Sequence, residues 1–503
     1  MKKFVFVAVL AAVMTAGCRS NNEKDFLSMA PFEFFEAVSL IPRTSGNEKA
    51  ISDYLADFGR SLGLEVIQDD VLNVFIRKNG TAGRENEPPV ILQAHMDMVG
   101  EKNASSSHDF IKDPIRLIIQ DDRVSADGTT LGADNAAGLA YIMAVLASQD
   151  ISHPPIEAII TTDEEAGMKG AISFDVGLLR GRRFINLDSE DEGIFTVSSA
   201  ASADVDIKVP IENIAMPEGF ASYTLMIKGL IGGHSGVDID KGFANANLLM
   251  GQLLRRLSQE LGSTGVAVSS ISGGSLRNAI PRESTAVISF ADNNVQRVQA
   301  VISAAQAEFK SAYSHDANLE ITLESAQAPA QVFNAASLQR VLDGIEQTPN
   351  GVISMSPDIE WLVQTSNNLG VITSSLDSVA MLSFPRSSSV EEQAQTLDRL
   401  RSLADSIGSE ISISNENPAW PFNPNSPMLD KMTELFITMY GKEPSIEAVH
   451  AGLECAAFAE GMPDGEFISI GPDIRGAHSP DEWMSISSFN RVYEYLLKVL
   501  QEL

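Results

Sequence analysis

Three short apolar runs, each ending in an acid or an imidazole, constrain the fold of this chain more than any other feature. Residues 90–93 lead to His95 and Asp97, residues 155–162 lead to Asp163, Glu164 and Glu165, and residues 183–187 lead to Asp188. Continuous apolar runs of this length, rich in β-branched residues, read as buried strands. Helical patterns alternate with them over residues 50–190, which predicts an α/β domain: a central mixed sheet with helices on both faces. In such a sheet, ligands gather at the carboxyl ends of the strands. His95 and Asp97 stand two apart, so in an extended chain they share a face.

The chain has 503 residues, more than one core usually holds, and its pattern changes near residue 200. Alternating strands at 203–209 and 222–227, a helix at 244–261, a strand at 284–290 and a helix at 294–313 predict an inserted α+β domain over 204–410. The first pattern returns with helices at 428–440 and 488–503 and a buried strand at 467–470. The expected division is 28–203 and 411–503 for one domain and 204–410 for the insertion. A net charge of −31 excludes nucleic acid as a partner. Two cysteines cannot build a disulfide framework. At the N-terminus, Lys2 and Lys3, an apolar stretch at 4–14 and Thr15-Ala16-Gly17-Cys18 predict a signal peptide over 1–18. Lipidation of Cys18 would make the protein an exported periplasmic or cell-surface lipoprotein, touching a membrane only through that anchor. A plain secretory signal is the alternative.

Asp134 falls where the glycine-rich turn 127–135 enters an apolar helix, and His478 lies in the loop 476–482. Asp134 could alternatively be a helix cap. His95, Asp134, Glu165, Asp188 and His478 together supply two imidazoles and three carboxylates. That set suits two divalent cations, zinc with manganese or cobalt as substitutes, provided one carboxylate bridges. Two such ions would activate a water and polarise a carbonyl. Glu164, beside a ligand, suits the general base, and Asp97 would orient the His95 ring. The reaction class is metal-assisted amide hydrolysis. His234 sits in a glycine-flanked turn at 231–236. His108, His153 and His315 read as surface, Cys455 as a buried thiol, and Ser45 or Asn47 as the cap of a helix at 48–62.

The strings IPRTSGNE (41–48), QAHMDM (93–98), GTTLGADNAAG (128–138), TDEEAG (162–167), GGHSG (232–236), RNAIPRE (277–283), HAGLEC (450–455) and HSPDE (478–482) carry a resemblance. The chain resembles the co-catalytic zinc peptidases, and within them the bacterial aminoacyl-histidine dipeptidases. The resemblance implies that Asp134 bridges the metals, with His95 and Asp188 completing one site and Glu165 and His478 the other. It implies Glu164 as base, a cis peptide between Asp134 and Asn135, and His234 as an oxyanion donor. Asn278 and Arg386 would hold the substrate, with His450 and Glu454 lining the site. It also implies a homodimer formed through the inserted lid domain, and a metallo-dipeptidase acting on short unblocked peptides. Xaa-His dipeptides, including β-alanyl-histidine, are the expected substrates. A broader di- or tripeptidase or an N-acyl amino acid amidohydrolase is the alternative. A non-catalytic surface binding protein stands further off, because every ligand and the base are present. Residues 197–202 and Pro385 depart from the family pattern and leave the histidine preference open.

Overall fold

A computed structural model describes residues 30–359 and 361–503, so the expected signal segment and Cys18 lie outside the described residues. The described residues form two compact units: 30–170, 185–192 and 471–503 make one, and 171–184 and 193–470 the other. This division differs from the expected 28–203, 204–410 and 411–503. The reason is strand pairing. Glu410–Asn417 runs antiparallel to Ala201–Pro210, and Ser445–Val449 runs parallel to Ile194–Ser199, so these segments stay with the second unit.

The first unit is built on a mixed sheet. Val90–His95 and Ile156–Thr161 run parallel with His95 opposite Thr161, and both strands are buried along their whole length. Burial on both faces explains why they read as unbroken apolar runs. Val74–Lys78 extends the sheet antiparallel to Ile156–Thr161, and Glu65–Gln68 pairs antiparallel beyond it. On the other side, the Leu187 amide donates to the Gln93 carbonyl at 2.9 Å, which brings Asp188 beside His95. The helix Ala133–Ala147 is buried almost all round. Its Gly138 has no room for a side chain, since a Cβ would lie 2.7 Å from the Leu187 carbonyl oxygen and 2.9 Å from the Ala94 side chain. Tyr141 on this helix donates to the Phe489 carbonyl at 2.8 Å and stacks on that ring, fixing the C-terminal helix Ile486–Glu502.

The second unit carries an eleven-stranded sheet among the described residues. Ala201–Pro210 pairs with Ser378–Ser383 and Glu410–Asn417, and Phe220–Lys228 pairs with Ser284–Ala291 and Glu320–Ser325. Alternate residues Val205, Ile207 and Val209 of the first strand enter a core shared with Leu249, Leu253 and Leu257 of the helix Ala246–Leu261. Those helix positions recur at four-residue spacing, which places them on one face.

Two local expectations are corrected. The helix Lys49–Ser61 has Glu48 as its N-cap and no side-chain cap. Ser45 is engaged elsewhere, donating to Asp97 at 2.8 Å. His153 is not on the surface but buried, with its Nδ1 2.7 Å from the Pro154 carbonyl. No helix among the described residues is long and apolar enough to cross a membrane.

Candidate functional site

The first unit brings His95, Asp134, Glu165, Asp188 and His478 together. His95 Nε2 lies 2.9 Å from Asp134 Oδ1 and 3.2 Å from Asp188 Oδ1. His478 Nε2 lies 3.1 Å from Asp134 Oδ2 and 2.9 Å from Glu165 Oε2. Asp134 therefore offers one oxygen to each imidazole. Ligand atoms of His95, Asp134 and Asp188 lie within 4.8 Å of one another, and so do those of Asp134, Glu165 and His478. A third such group, His95, Glu164 and Glu165, places Glu164 at the edge of the same cluster. The Asp134–Asn135 peptide is cis.

Asp97 organises this cluster from beneath. It is fully buried, 3.4 Å from His95 Nδ1, and accepts the Glu164 and Glu165 amides at 3.1 and 3.2 Å. One carboxylate thus holds both the imidazole and the turn carrying the paired glutamates.

The electrostatics show how strongly the cluster favours positive charge. Burial alone would lower the His95 imidazole, yet Asp188, Asp134 and Asp97 raise it well above its ordinary value. Hydrogen bonds to Asp134 and Glu165 push His478 up to about 11. Burial raises Asp188 to about 6 despite the opposing pull of His95. Burial would also raise Asp134, but His478 and His95 hold it far below the carboxylate range. The carboxylates draw positive charge onto the two imidazoles among them. Metal binding to such a set displaces the imidazole protons. Imidazole nitrogens and carboxylate oxygens are the donors that suit zinc, and a shared carboxylate between two triads fits a pair of ions.

The second unit gathers the remaining expected residues. His234 pairs with Ala279 across a short ladder, and the Ser235 amide donates to the Asn278 carbonyl at 2.8 Å. His234 Nδ1 accepts the Gly236 and Val237 amides, each at 3.2 Å. Burial and the Arg386 charge lower this imidazole, and with Nδ1 engaged as an acceptor, Nε2 is the nitrogen left to donate. His450 is buried with Nε2 2.8 Å from Ser366 Oγ, and burial followed by Arg386 and His234 lowers it to about 3. Arg386 is buried, lies 4.6 Å from the Phe384 ring, and leaves its Nε without a partner. Burial and the neighbouring Arg277 lower its guanidinium to about 10. Glu454 and Cys455 are both fully buried.

Arg43 and Glu482 are functional candidates that sequence reasoning missed. Both stand in quoted motifs, at 41–48 and 478–482, but nothing in the local pattern marks either charge as buried. Both are, at 1% and 2% exposure.

A cluster of imidazoles and carboxylates at strand ends and loop entries in a mixed α/β unit, running from the buried His95 to the half-exposed His478, has the donor set of a metal-dependent hydrolase. The chain belongs to peptidase family M20/M25/M40, whose model matches residues 91–502. It is 37% identical over 484 residues to the cytosol non-specific dipeptidase of Escherichia coli, covering 96% of this chain and 99% of that one. The crystal structure of aminoacylhistidine dipeptidase from Vibrio alginolyticus matches with a TM-score of 0.89 and 38% identity, over 96% of this chain and 98% of that one. An aminopeptidase from Bacillus cereus shares the fold, with a TM-score of 0.54 at 16% identity over 94% of this chain and 97% of that one. The cytosolic designation of the Escherichia coli relative overturns the expected exported lipoprotein, with its signal peptide and lipidated Cys18.

Proposed function

We propose that this protein is a zinc-dependent dipeptidase cleaving short unblocked peptides, with Xaa-His dipeptides, β-alanyl-histidine among them, as preferred substrates. The observation that carries the reading is the Asp134 carboxylate shared between two imidazole-containing triads in a chain of this peptidase family. His95 and Asp188 would complete one zinc site, Glu165 and His478 the other. Zinc held by these residues would supply the charge that activates water and polarises the scissile carbonyl. Glu164 takes the proton of the attacking water and returns it to the departing amine. Asp97 fixes the His95 ring and the turn that presents Glu164. His234 donates from Nε2 to the carbonyl oxygen as charge develops there. Arg386 receives the terminal carboxylate, a planar anion that its guanidinium can bind through two parallel bonds. Asn278, His450 and Glu454 line the substrate.

The name of the Vibrio relative favours the histidine preference, and that of the Escherichia coli relative favours a broad dipeptidase. Hydrolysis of Leu-His, β-Ala-His, Gly-Leu and an N-acetylated amino acid, with and without chelator, decides between them. Chelator-sensitive cleavage led by the His-terminated peptides is expected. Equal cleavage of all free dipeptides would leave the broad activity, and turnover that survives the chelator would remove the metal from the mechanism.

We also propose a homodimer through the second unit. Gly351–Met355 ends the eleven-stranded sheet among the described residues, with Val352, Ile353 and Met355 at 38–44% exposure and Trp361 at 54%. An edge strand with apolar side chains is a template for pairing with a second copy. Light scattering should give a dimeric mass for the wild type and a monomeric mass for Ile353→Lys. A monomeric wild type would refute the dimer, and a dimeric variant would move the contact elsewhere.

A further inference from the structure

Arg43 and Glu482 grip the same peptide from opposite sides. The Glu482 carboxylate accepts the Leu131, Gly132 and Ala133 amides at 2.7, 2.9 and 2.8 Å, immediately before Asp134. Three converging amides on one buried carboxylate are charge-assisted hydrogen bonds, each shorter and stronger than a neutral one. Arg43 Nη2 donates to the Gly132 carbonyl, and Nη1 donates to the Met96 and Asp97 carbonyls at 3.0 and 2.7 Å. Gly132 takes a φ of +68°, and a Cβ there would lie 2.7 Å from both Arg43 Nη2 and Met98 Sδ. Glycine is therefore required where the two charged groups close on the backbone.

Neither charged group is part of any ligand triad. Their connections differ. Arg43 joins the Asp134 loop to the end of the strand bearing His95. Glu482 joins the same loop to the segment bearing His478, four residues earlier. His478 itself is about half exposed and has a left-handed φ of +61°, whereas Glu482 in the same segment is buried against the Asp134 loop.

We propose that Arg43 and Glu482 are positioning residues that act separately on the two metal triads: Arg43 sets the His95–Asp134–Asp188 triad and Glu482 sets the Asp134–Glu165–His478 triad. The assignment rests on the two-metal reading above. It makes each site's affinity depend on its own brace, although both braces hold one glycine. Outer groups that orient ligands typically change metal affinity by about 10–100-fold when removed.

The test is titration of metal-free protein with zinc against a fluorescent chelator, which returns two dissociation constants. Glu482→Gln should weaken one constant by about 10–100-fold and leave the other within about threefold, and Arg43→Lys should weaken the other. Sites are assigned by adding each change to His478→Ala. Glu482→Gln should have no further effect in that background, whereas Arg43→Lys should keep its full effect. Equal weakening of both constants, or full additivity of Glu482→Gln with His478→Ala, overturns the proposal. If Glu482→Gln does not fold, as judged by circular dichroism, Glu482→Asp keeps the charge, shortens the reach and is read in the same way. A wild type that binds fewer than two zinc ions overturns the two-metal reading itself, and that is visible before any variant is made.

Discussion

Glu164→Gln should lower kcat by about 10²–10⁴-fold while leaving zinc content and KM close to wild type. The expectation follows from where the backbone puts this side chain. Asp163 takes a left-handed φ of +58° and starts the short helix Glu164–Gly167, whose first two amides both rest on Asp97. Consecutive residues at a helix start point in different directions. Glu165 joins the Asp134–His478 triad, while Glu164 reaches the edge of the cluster near His95. Glutamine keeps the shape and one acceptor oxygen but cannot take a proton. An interaction made only in the transition state is lost through kcat, whereas uniform binding is lost through KM. Kinetics of Leu-His hydrolysis beside metal analysis of the same sample make the check. A variant retaining a kcat within about tenfold of wild type would remove Glu164 as base. A loss of one zinc ion would make Glu164 a ligand instead.

Much of this candidate site was legible in sequence because its candidate ligands stand at strand ends and helix starts. His95, Glu165 and Asp188 follow apolar runs that can only be buried strands, so their side chains had to share one sheet edge. Asp134 and His478 were less plainly marked, since a glycine-rich turn or a loop does not say what it faces, and the motifs strengthened their assignment. The cap of the helix Lys49–Ser61 was misread because the Ser45 hydroxyl, instead of accepting a helix amide, donates a charge-assisted hydrogen bond to the buried Asp97 carboxylate. Arg43 and Glu482 were invisible for a related reason. A charged residue in a turn is normally solvated, and these two are buried only because backbone groups distant in sequence converge on them. The helices Ala335–Gln347 and Val390–Ser406 also passed unread. Each buries only one face, and polar residues over the rest of the surface dilute the signal.

Arg386→Met should stabilise the metal-free protein by about 1–3 kcal/mol and at the same time raise KM about 10–100-fold. The two effects have one cause. Arg386 is 5% exposed, and the neighbouring charge acting on it is another cation, Arg277. Its contact with the Phe384 face offsets part of the desolvation cost, but its Nε finds no acceptor. A buried cation without an anionic partner is costly, and a methionine of similar length would fill the space without that penalty. In the proposed role, a substrate carboxylate arriving from solvent would complete the pair and offset that cost. Charge-assisted bonds made to the substrate before and during reaction appear in KM rather than kcat. Urea unfolding of the apo-protein reads the first effect. Comparison of Leu-His with its C-terminal amide reads the second: wild type should discriminate strongly between them and Arg386→Met hardly at all. A lower unfolding midpoint with unchanged discrimination would make Arg386 a structural residue and leave the terminal carboxylate to another cation.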